Sequence, residues 1–192
     1  MPGPIAVVWF DFVVSELQID LAAALGASAI TLHGDYTDNL AGLVAHSKAR
    51  GVEPIVQVES LDAARAALGA GARCLCFQTL EDNELVEARA TLEAERTAAA
   101  AATDATMYIA RLRPESDFSA YAEIDSAWLL RDGGFHCVWP SADAVYATGM
   151  SDIYTTVLAM RSKASRLFIS PRQFLMDRLK EGAKEYLGDI LY

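Results

Sequence analysis

Short apolar runs alternate along the chain with longer segments in which apolar residues recur every three or four positions. Runs of four to seven residues have the usual length of buried strands, and the longer segments have helical periodicity. Strands that are apolar at consecutive positions are buried on both faces, as parallel strands between helices are. The pattern predicts repeated βα units. The predicted strands are 5–10, 29–32, 54–58, 72–77, 106–112 and 136–141. The predicted helices are 15–25, 39–48, 61–68, 83–102 and 119–135.

Glycine marks three of the predicted joints between a helix and the strand that follows it. Gly26, Gly51 and the pair Gly69 and Gly71 lie where a helical segment gives way to an apolar run. Glycine at the end of a helix relieves the strain of a left-handed backbone, so these residues predict helix C-caps. About six such units, at a spacing of roughly 20 to 30 residues, have the rhythm of a (β/α) barrel.

We therefore predict an α/β fold with a parallel sheet of about six βα units, similar to an incomplete TIM barrel. The predicted barrel domain covers residues 1–150, and a helical C-terminal extension covers residues 151–192. An incomplete barrel exposes strand edges at its gap. We expect the first and last strands to be covered by another chain, by the extension or by partial closure of the sheet.

The acidic charge of the chain narrows the range of its partners. The 192 residues include 16 Lys and Arg against 26 Asp and Glu, a formal net charge of −10. Such a chain repels nucleic acid and anionic lipid, so we expect no nucleic-acid partner. No apolar run reaches the roughly 18 residues that cross a bilayer, which predicts that there is no transmembrane segment.

Cysteine and histidine give little indication of a metal or other cofactor, and we expect none. The odd number of cysteines, Cys74, Cys76 and Cys137, indicates a reducing compartment, cytoplasm or plastid stroma, rather than a disulfide framework. Cys74 and Cys76 lie two residues apart on an apolar run, so core packing explains them better than metal binding. His46 and His136 have no partner at a spacing that indicates a metal site.

Two segments carry a resemblance to a known family. Residues 11–32 contain the pattern Asp-Phe-x-x-x-x-x-Gln at Asp11, Phe12 and Gln18, and residues 51–77 contain a V-x-V strand followed by Gly-Ala. The order of these features resembles the indole-3-glycerol-phosphate synthase family, and the stretch "GGFHCVWPSADAVY" is similar to that family's last strand. The resemblance implies that the chain begins at the family's third strand and lacks the first two.

Under this resemblance, the catalytic residues of the family are replaced. The family's general-acid lysine aligns with Phe10, and its strand-five glutamate aligns with Gln57, an amide with no proton equilibrium near neutral pH. The family's Asn-Asn-Arg begins at Gln78 here, and its glycine-rich phosphate loops have no counterpart. The resemblance therefore implies a non-catalytic homologue that retains the fold. We expect no turnover of the family's substrate.

Polar residues at the ends of predicted strands are candidates for ligand binding. His33 and Asp35 follow one apolar run, and Arg111 and Arg113 end another. Active sites of barrels lie at this end of the strands, and arginine side chains grip anions well. The four residues form a candidate site for an anion or a sugar phosphate. The simpler alternatives are a histidine that is merely hydrogen-bonded or solvent-exposed and arginines paired with acidic neighbours.

The C-terminal extension predicts a partner protein. Residues 151–192 carry seven Lys and Arg against five Asp and Glu, and apolar stripes on both sides of Ser170-Pro171 predict two helices. Such helices need a surface to cover their apolar faces. We predict an accessory or scaffold subunit that docks through this extension and the open barrel edge; the alternative is that the extension covers the chain's own barrel. The predicted docking residues are Phe168, Phe174, Leu175 and Tyr186.

Two other functions stay open from the sequence alone. The first is an active indole-3-glycerol-phosphate synthase of tryptophan biosynthesis, which would need a missing N-terminal part to supply the absent strands. The second is a module that binds an anion or a sugar phosphate at the strand ends without acting on it. We rank the module below the scaffold because the glycines that would cradle a phosphate are missing.

Overall fold

The computed structural model describes residues 6–78, 80–98, 105–112 and 120–140. In these residues, six strands alternate with five helices. The strands are β1 (Val8–Trp9), β2 (Ala29–His33), β3 (Glu53–Val58), β4 (Cys74–Phe77), β5 (Met107–Arg111) and β6 (Cys137–Trp139). The helices are α1 (Glu16–Ala24), α2 (Leu40–Ala49), α3 (Leu61–Gly69), α4 (Asp82–Ala98) and α5 (Ala120–Asp132).

The six described strands form one parallel sheet in the order β1-β2-β3-β4-β5-β6. Each strand pairs with the next one along the chain, and a helix lies between them in the sequence. This confirms the prediction of an incomplete, TIM-barrel-like α/β fold with about six βα units. The sheet curls into a half-barrel, so one of its faces lines the interior.

The central strands are buried on both faces, as their continuous apolar runs predict. Every residue of β4 is buried, and so are all residues of β3 except Glu53. On the interior face, alternate residues of neighbouring strands form a core cluster, against which Cys137 and Trp139 pack. The cluster consists of Ala29, Ile55, Cys74, Cys76 and Ile109. On the same face, the polar residues His33, Gln57 and Arg111 lie nearer the carboxyl ends of the strands.

Glycine ends the helices where the sequence predicts it. Gly26, Gly51 and Gly71 have φ values of 83°, 73° and 89°. After each of these glycines, a backbone N–H reaches back to a carbonyl five residues earlier, as Ala27 does to Ala22 at 3.0 Å. This closure turns the chain sharply from helix to strand. Gly69, also predicted as a cap, instead lies within α3.

The first and last described strands approach each other at their carboxyl ends. The ring of Phe10, directly after β1, meets the ring of Trp139 in an edge contact with 6.2 Å between centroids. The guanidinium of Arg111 lies over the same Phe10 ring at 5.1 Å. Partial closure was one of the three expected ways to cover the strand edges. These contacts bring the two ends together, while β1 and β6 each keep a single hydrogen-bonded neighbour among the described strands.

The described residues belong to two compact units. The sheet, helices α1 to α4 and the end of α5 from Leu129 form one unit, and α5 up to Trp128 belongs to the other. The predicted boundary between the barrel domain and the extension lies outside the described residues, and so do the predicted docking residues of the extension. Both stay predictions. None of the described helices is long and apolar enough to span a bilayer.

Candidate functional site

Polar side chains collect on the interior face at the carboxyl ends of β2 to β5. His33 and Gln57 are neighbours in the register of β2 and β3, and Arg111 is the last residue of β5. Side chains alternate between the faces of a strand, so these three lie on the face that carries Ala29, Ile55 and Ile109. Glu59 and Gln78, just beyond β3 and β4, keep the same alternation. This is the end of the strands at which barrel enzymes place their active sites.

Hydrogen bonds link four of these strand ends. Arg111 Nη1 donates to Gln78 Oε1 over a long 3.5 Å, and Gln78 Nε2 donates to Glu59 Oε1 at 3.2 Å. The second carboxylate oxygen of Glu59 accepts from the hydroxyl of Tyr36 at 3.2 Å. The backbone N–H of Glu59 in turn donates to Asp35 Oδ2 at 3.1 Å. Glu59 is therefore fixed at the centre of the network, with both carboxylate oxygens occupied.

Tyr36 is the proton donor of the network. Its hydrogen bond to Glu59 and the negative charge of that carboxylate raise the pKa of the Tyr36 hydroxyl. The phenol therefore stays protonated and holds Glu59 as an acceptor. The ring of Tyr36 also lies 6.4 Å from that of Phe12 and 6.2 Å from that of His33, measured between centroids.

His33 is half-buried beside this network, and its neutral form is favoured. Burial lowers the pKa of the imidazole, and nearby Arg111 lowers it further, although Glu59 and Asp35 oppose the shift. The Phe12 ring lies against the imidazole with 4.8 Å between centroids. No hydrogen bond among the described residues joins His33 to Asp35, the partner expected for it; the Asp35 carboxylate accepts from the backbone N–H of Glu59.

Arg111 is the cationic group of the site. Its guanidinium is held by the Phe10 ring on one side and by Gln78 on the other. None of the ion pairs that the structure describes involves Arg111, and Gln78 occupies one of its five N–H donors. Gln78 is the hydrogen-bond partner of Arg111 among the described residues. Arg113, expected to act with Arg111, lies outside the described residues.

Gln57 is the most deeply buried polar side chain of the site. Its relative exposure is 1%, and neither amide atom has a hydrogen-bond partner among the described residues. Its neighbours in the register are His33 on β2 and Cys76 on β4. An amide in this position adds a dipole to the interior and no charge.

The cysteines and the other histidines of the described residues have structural roles. Burial raises the pKa of Cys74 and of Cys76 to about 12, so both thiols are protonated parts of the core. His46 Nε2 contacts Asp20 at 2.7 Å, and His136 Nδ1 accepts from the backbone N–H of Tyr108 at 3.0 Å. In the part of the chain that the structure describes, no group of three or more His, Cys, Asp or Glu could hold a metal ion.

The sequence indicated His33, Asp35 and Arg111 but missed Glu59 and Tyr36 as site residues. Glu59 directly follows the predicted strand 54–58, and Tyr36 lies four residues after the predicted strand 29–32, in "LHGDY"; these positions were the available signal. Gln78 was noted only as a replaced catalytic position. The structure shows it instead as the link between Arg111 and Glu59.

Comparisons with known proteins show similarity in fold. No protein-family model matches the chain, and no curated protein matches it in sequence. The chain is similar to citrate synthase SbnG, with 16% identity, a TM-score of 0.54 and coverage of 81% of this chain and 71% of that one. An HpcH/HpaI aldolase/citrate lyase family protein from Burkholderia cenocepacia J2315 gives 16%, 0.57, 81% and 74%. The native KDPGal structure gives 16%, 0.52, 80% and 65%.

These neighbours show that the chain has a TIM-barrel-like fold. The expected membership of the indole-3-glycerol-phosphate synthase family is wrong, because the similar structures belong to other barrel proteins, among them a citrate synthase and an HpcH/HpaI aldolase/citrate lyase family protein. At identities of 16%, the similarity concerns the architecture. The chemistry of this chain has to be argued from its own side chains.

The structure explains why the misleading pattern occurs. Gln18 Oε1 accepts from the backbone N–H groups of Val14 and Ser15 at 2.9 and 3.1 Å, and Gln18 Nε2 donates to the carbonyl of Phe12 at 3.2 Å. The Asp-Phe-x-x-x-x-x-Gln pattern therefore builds the start of α1. Helix starts of this kind and Gly-Ala helix ends serve any βα unit, so they identify the architecture and not the family.

The assignments that depended on that family fall with it. Phe10, Gln57 and Gln78 have no basis as replaced catalytic residues of an indole-3-glycerol-phosphate synthase. In the structure, Phe10 supports Arg111, Gln57 is an interior amide, and Gln78 links Arg111 to Glu59.

Proposed function

We propose that this protein is a non-catalytic, lyase-like barrel that binds a small carboxylate or phosphate compound at the carboxyl ends of its strands. The observation that carries the proposal is the state of Arg111. Its guanidinium is half-buried and oriented by two neighbours, and the described ion pairs do not include it. A planar guanidinium held in this way suits bidentate binding of a carboxylate or phosphate.

The described ion pairs do not join the neighbouring carboxylate to this cation. One oxygen of Glu59 accepts from Tyr36 and the other from Gln78. Gln78 lies between Glu59 and Arg111, so its neutral amide separates the two charges. The positive charge of Arg111 is consequently left for a ligand, although the chain as a whole carries a formal net charge of −10.

The surroundings of Arg111 fit an organic anion. The rings of Phe10 and Phe12 are about half exposed and lie next to the two basic residues, Arg111 and His33. Aromatic faces offer apolar contact for the carbon skeleton of a small acid. The neutral imidazole of His33 can serve as either donor or acceptor toward a hydroxyl or a carbonyl group of the ligand.

The same residues support binding without carbon–carbon cleavage. Cleavage leaves an electron pair on carbon, and enzymes commonly disperse it through an imine formed with a lysine or through a bound metal ion. Lys48 is the only lysine among the described residues. It lies on α2, and its ammonium group donates a hydrogen bond to the carbonyl of Gly71 at 2.6 Å. At the strand ends, the interior positions are held by the amide of Gln57 and by the engaged carboxylate of Glu59.

The first prediction concerns Arg111 and is tested by calorimetry on the full chain. Titrations with citrate, pyruvate, glycerol 3-phosphate and inorganic phosphate should show binding of at least one probe. Arg111→Gln should weaken that binding by about 10- to 100-fold, since a charge-assisted hydrogen-bonded pair contributes roughly 1.5–3 kcal/mol. Arg65→Gln is the matched control, because Arg65 is an exposed arginine paired with Asp62 and Glu95.

The outcomes separate binding from catalysis. Binding that Arg111→Gln weakens and Arg65→Gln leaves unchanged, with no product formed from oxaloacetate or citrate by proton NMR, supports the proposal. Product formation that disappears in Arg111→Gln would make the protein a lyase and overturn its non-catalytic part. Absence of binding, or binding that is equal in both variants, would overturn the site.

A further inference from the structure

Two opposite charges lie close together in the candidate site without forming an ion pair. Arg111 Nη1 donates to Gln78 Oε1 at 3.5 Å, and Gln78 Nε2 donates to Glu59 Oε1 at 3.2 Å, so one neutral amide lies between the guanidinium and the carboxylate. The ion pairs that the structure describes include neither Arg111 nor Glu59. Each of the two charges therefore attracts a ligand group of the opposite sign.

The carboxylate side of the site suits a cation. Each oxygen of Glu59 accepts one hydrogen bond, from Tyr36 or from Gln78, whereas a carboxylate offers about four lone-pair sites. Asp35 adds a second carboxylate, which accepts from the backbone N–H of Glu59 at 3.1 Å. Burial lowers the pKa of His33, so the neutral ring is favoured and adds no positive charge beside these groups. An ammonium group at Glu59 thus finds hydrogen-bond acceptors and two negative charges.

Exposed aromatic rings border the same carboxylate. Tyr36 is 59% exposed and Phe12 is 51% exposed, and their ring centroids lie 6.4 Å apart. The hydroxyl of Tyr36 is the donor that holds Glu59, so its ring lies close to that carboxylate. The faces of aromatic rings attract ammonium groups. A cation that binds Glu59 next to Tyr36 therefore has a second favourable partner.

We propose that the ligand of this site is an amino acid, with its carboxylate on Arg111 and its ammonium group on Glu59. This inference rests on the proposed function, which places a small carboxylate compound at Arg111, and it assigns the second charged group of that compound. An α-amino acid carries both groups on one carbon atom, and in the site a single carboxamide separates their partners. A purely anionic ligand instead brings a further negative charge next to Asp35 and Glu59.

The second prediction compares ligands that differ in one charged group. In calorimetry on the full natural chain, L-phenylalanine should bind at least about 10-fold more tightly than 3-phenylpropionate, which lacks the ammonium group, and than phenethylamine, which lacks the carboxylate. Each missing group removes a charge-assisted contact. L-alanine and propionate repeat the comparison without the aromatic ring. Because all these ligands are tested on the natural chain, the result does not depend on the folding of a variant.

Glu59→Gln tests where the ammonium group binds. This variant keeps the shape of the side chain and removes its charge. It should weaken the binding of the amino acid by about 10- to 100-fold, while the matched acid without the ammonium group binds equally well or more tightly. Glu95→Gln is the matched control, because Glu95 is a partly exposed glutamate that pairs with Arg65 at 2.6 Å. Circular dichroism and the melting temperature verify that both variants fold.

The outcomes distinguish this inference from the proposed function. If acids bind in a manner that depends on Arg111 and neither amino acid binds more tightly than its matched acid, the anion site stands and the amino-acid ligand is overturned. If Glu59→Gln and Glu95→Gln affect the amino acid equally, the contact between ammonium and Glu59 is overturned. If neither acids nor amino acids bind, the anion site itself is absent and the proposed function falls with the inference.

Discussion

Gln57 combines deep burial with two polar atoms that have no described partner. Its side chain lies between His33 and Cys76 in the sheet register, and the core cluster of apolar residues and cysteines begins directly below it. A buried amide without partners costs roughly 1–3 kcal/mol of stability. Since apolar residues of similar volume fit a strand interior, the amide lowers the stability of the fold at this position.

Replacing this amide should stabilise the protein. We predict that Gln57→Met raises the free energy of unfolding by about 1 kcal/mol, because it removes two unpartnered polar atoms and keeps most of the volume. Gln78→Met is the control with the opposite sign, because Gln78 donates to Glu59 and accepts from Arg111. Urea denaturation measures both variants. A loss of stability in Gln57→Met would show that the amide has partners in solution, such as buried water.

His33 should make stability depend on pH. Its pKa in the folded protein is lowered from 6.5, chiefly by burial, so the fold favours the neutral ring. Above pH 6.5 the ring is neutral in both states and its full contribution is present. As the pH falls through 6.5 toward the lower folded pKa, the unfolded chain takes up the proton first and stability is lost. We predict that His33→Gln reduces the decrease in melting temperature between about pH 7.5 and pH 5. An unchanged pH profile would contradict the prediction.

Single residues of the site differ in how far the sequence predicts them. His33 and Arg111 could be predicted as site residues, because each lies at the end of an apolar run and the carboxyl ends of parallel strands meet at one edge of the sheet. The hydrogen-bond partner of Asp35 could not be predicted from the sequence. It depends on the register of β2 against β3, which places the backbone of Glu59 within reach and leaves His33 to Phe12. The contact between the Arg111 guanidinium and the Phe10 ring depends on the curling of the whole sheet, so no local sequence pattern predicts it.

At the scale of elements, a single side chain, Gln18, determines how helix α1 begins. Gln18 makes three hydrogen bonds, to the backbone of Phe12, Val14 and Ser15, and thereby fixes the path from β1 into the helix. These bonds satisfy backbone groups that precede the first helical turn. This start also sets which side chains of α1 face outward, among them the exposed Leu17 and Leu21.

Two substitutions of Gln18 should distinguish the hydrogen bonds that its side chain accepts from the one that it donates. We predict that Gln18→Ala lowers the free energy of unfolding by about 1–2 kcal/mol, in the range measured for lost helix caps. Gln18→Glu should cost less, because its carboxylate still accepts from Val14 and Ser15 and lies favourably at a helix N-terminus. Thermal and urea unfolding measure the difference. Equal losses in the two variants would show that the bond to Phe12 dominates.

The elements themselves were largely predictable, and their ends were less so. The strands at 29–32, 54–58 and 72–77 lie within one or two residues of the observed β2, β3 and β4, because their apolar runs are buried on both faces. The first predicted strand, 5–10, is paired only at Val8–Trp9. At the sheet edge, pairing depends on a single neighbour, so an apolar run overestimates the length of the strand.

At the scale of the whole molecule, the sequence led to the architecture but to the wrong family. The features that suggested a synthase, Gln18 and the glycines that end helices, have local roles that every βα unit needs. Their order along the chain therefore indicates a barrel and carries little information on chemistry. The chemistry depends on which side chains meet at the strand ends, where Arg111, Gln78 and Glu59 form their own arrangement.

The order of the strands has a consequence for how the protein is made. Each described strand after β1 pairs with the one before it, so a strand that leaves the ribosome meets a partner already synthesised. The crossover between partners is a single helix, which keeps the entropy cost of closing each unit small. Domains fold as the chain emerges, from the N-terminal side first. Helix α1 precedes the other described helices in the chain, so it leaves the ribosome and can form on β1 and β2 before they do.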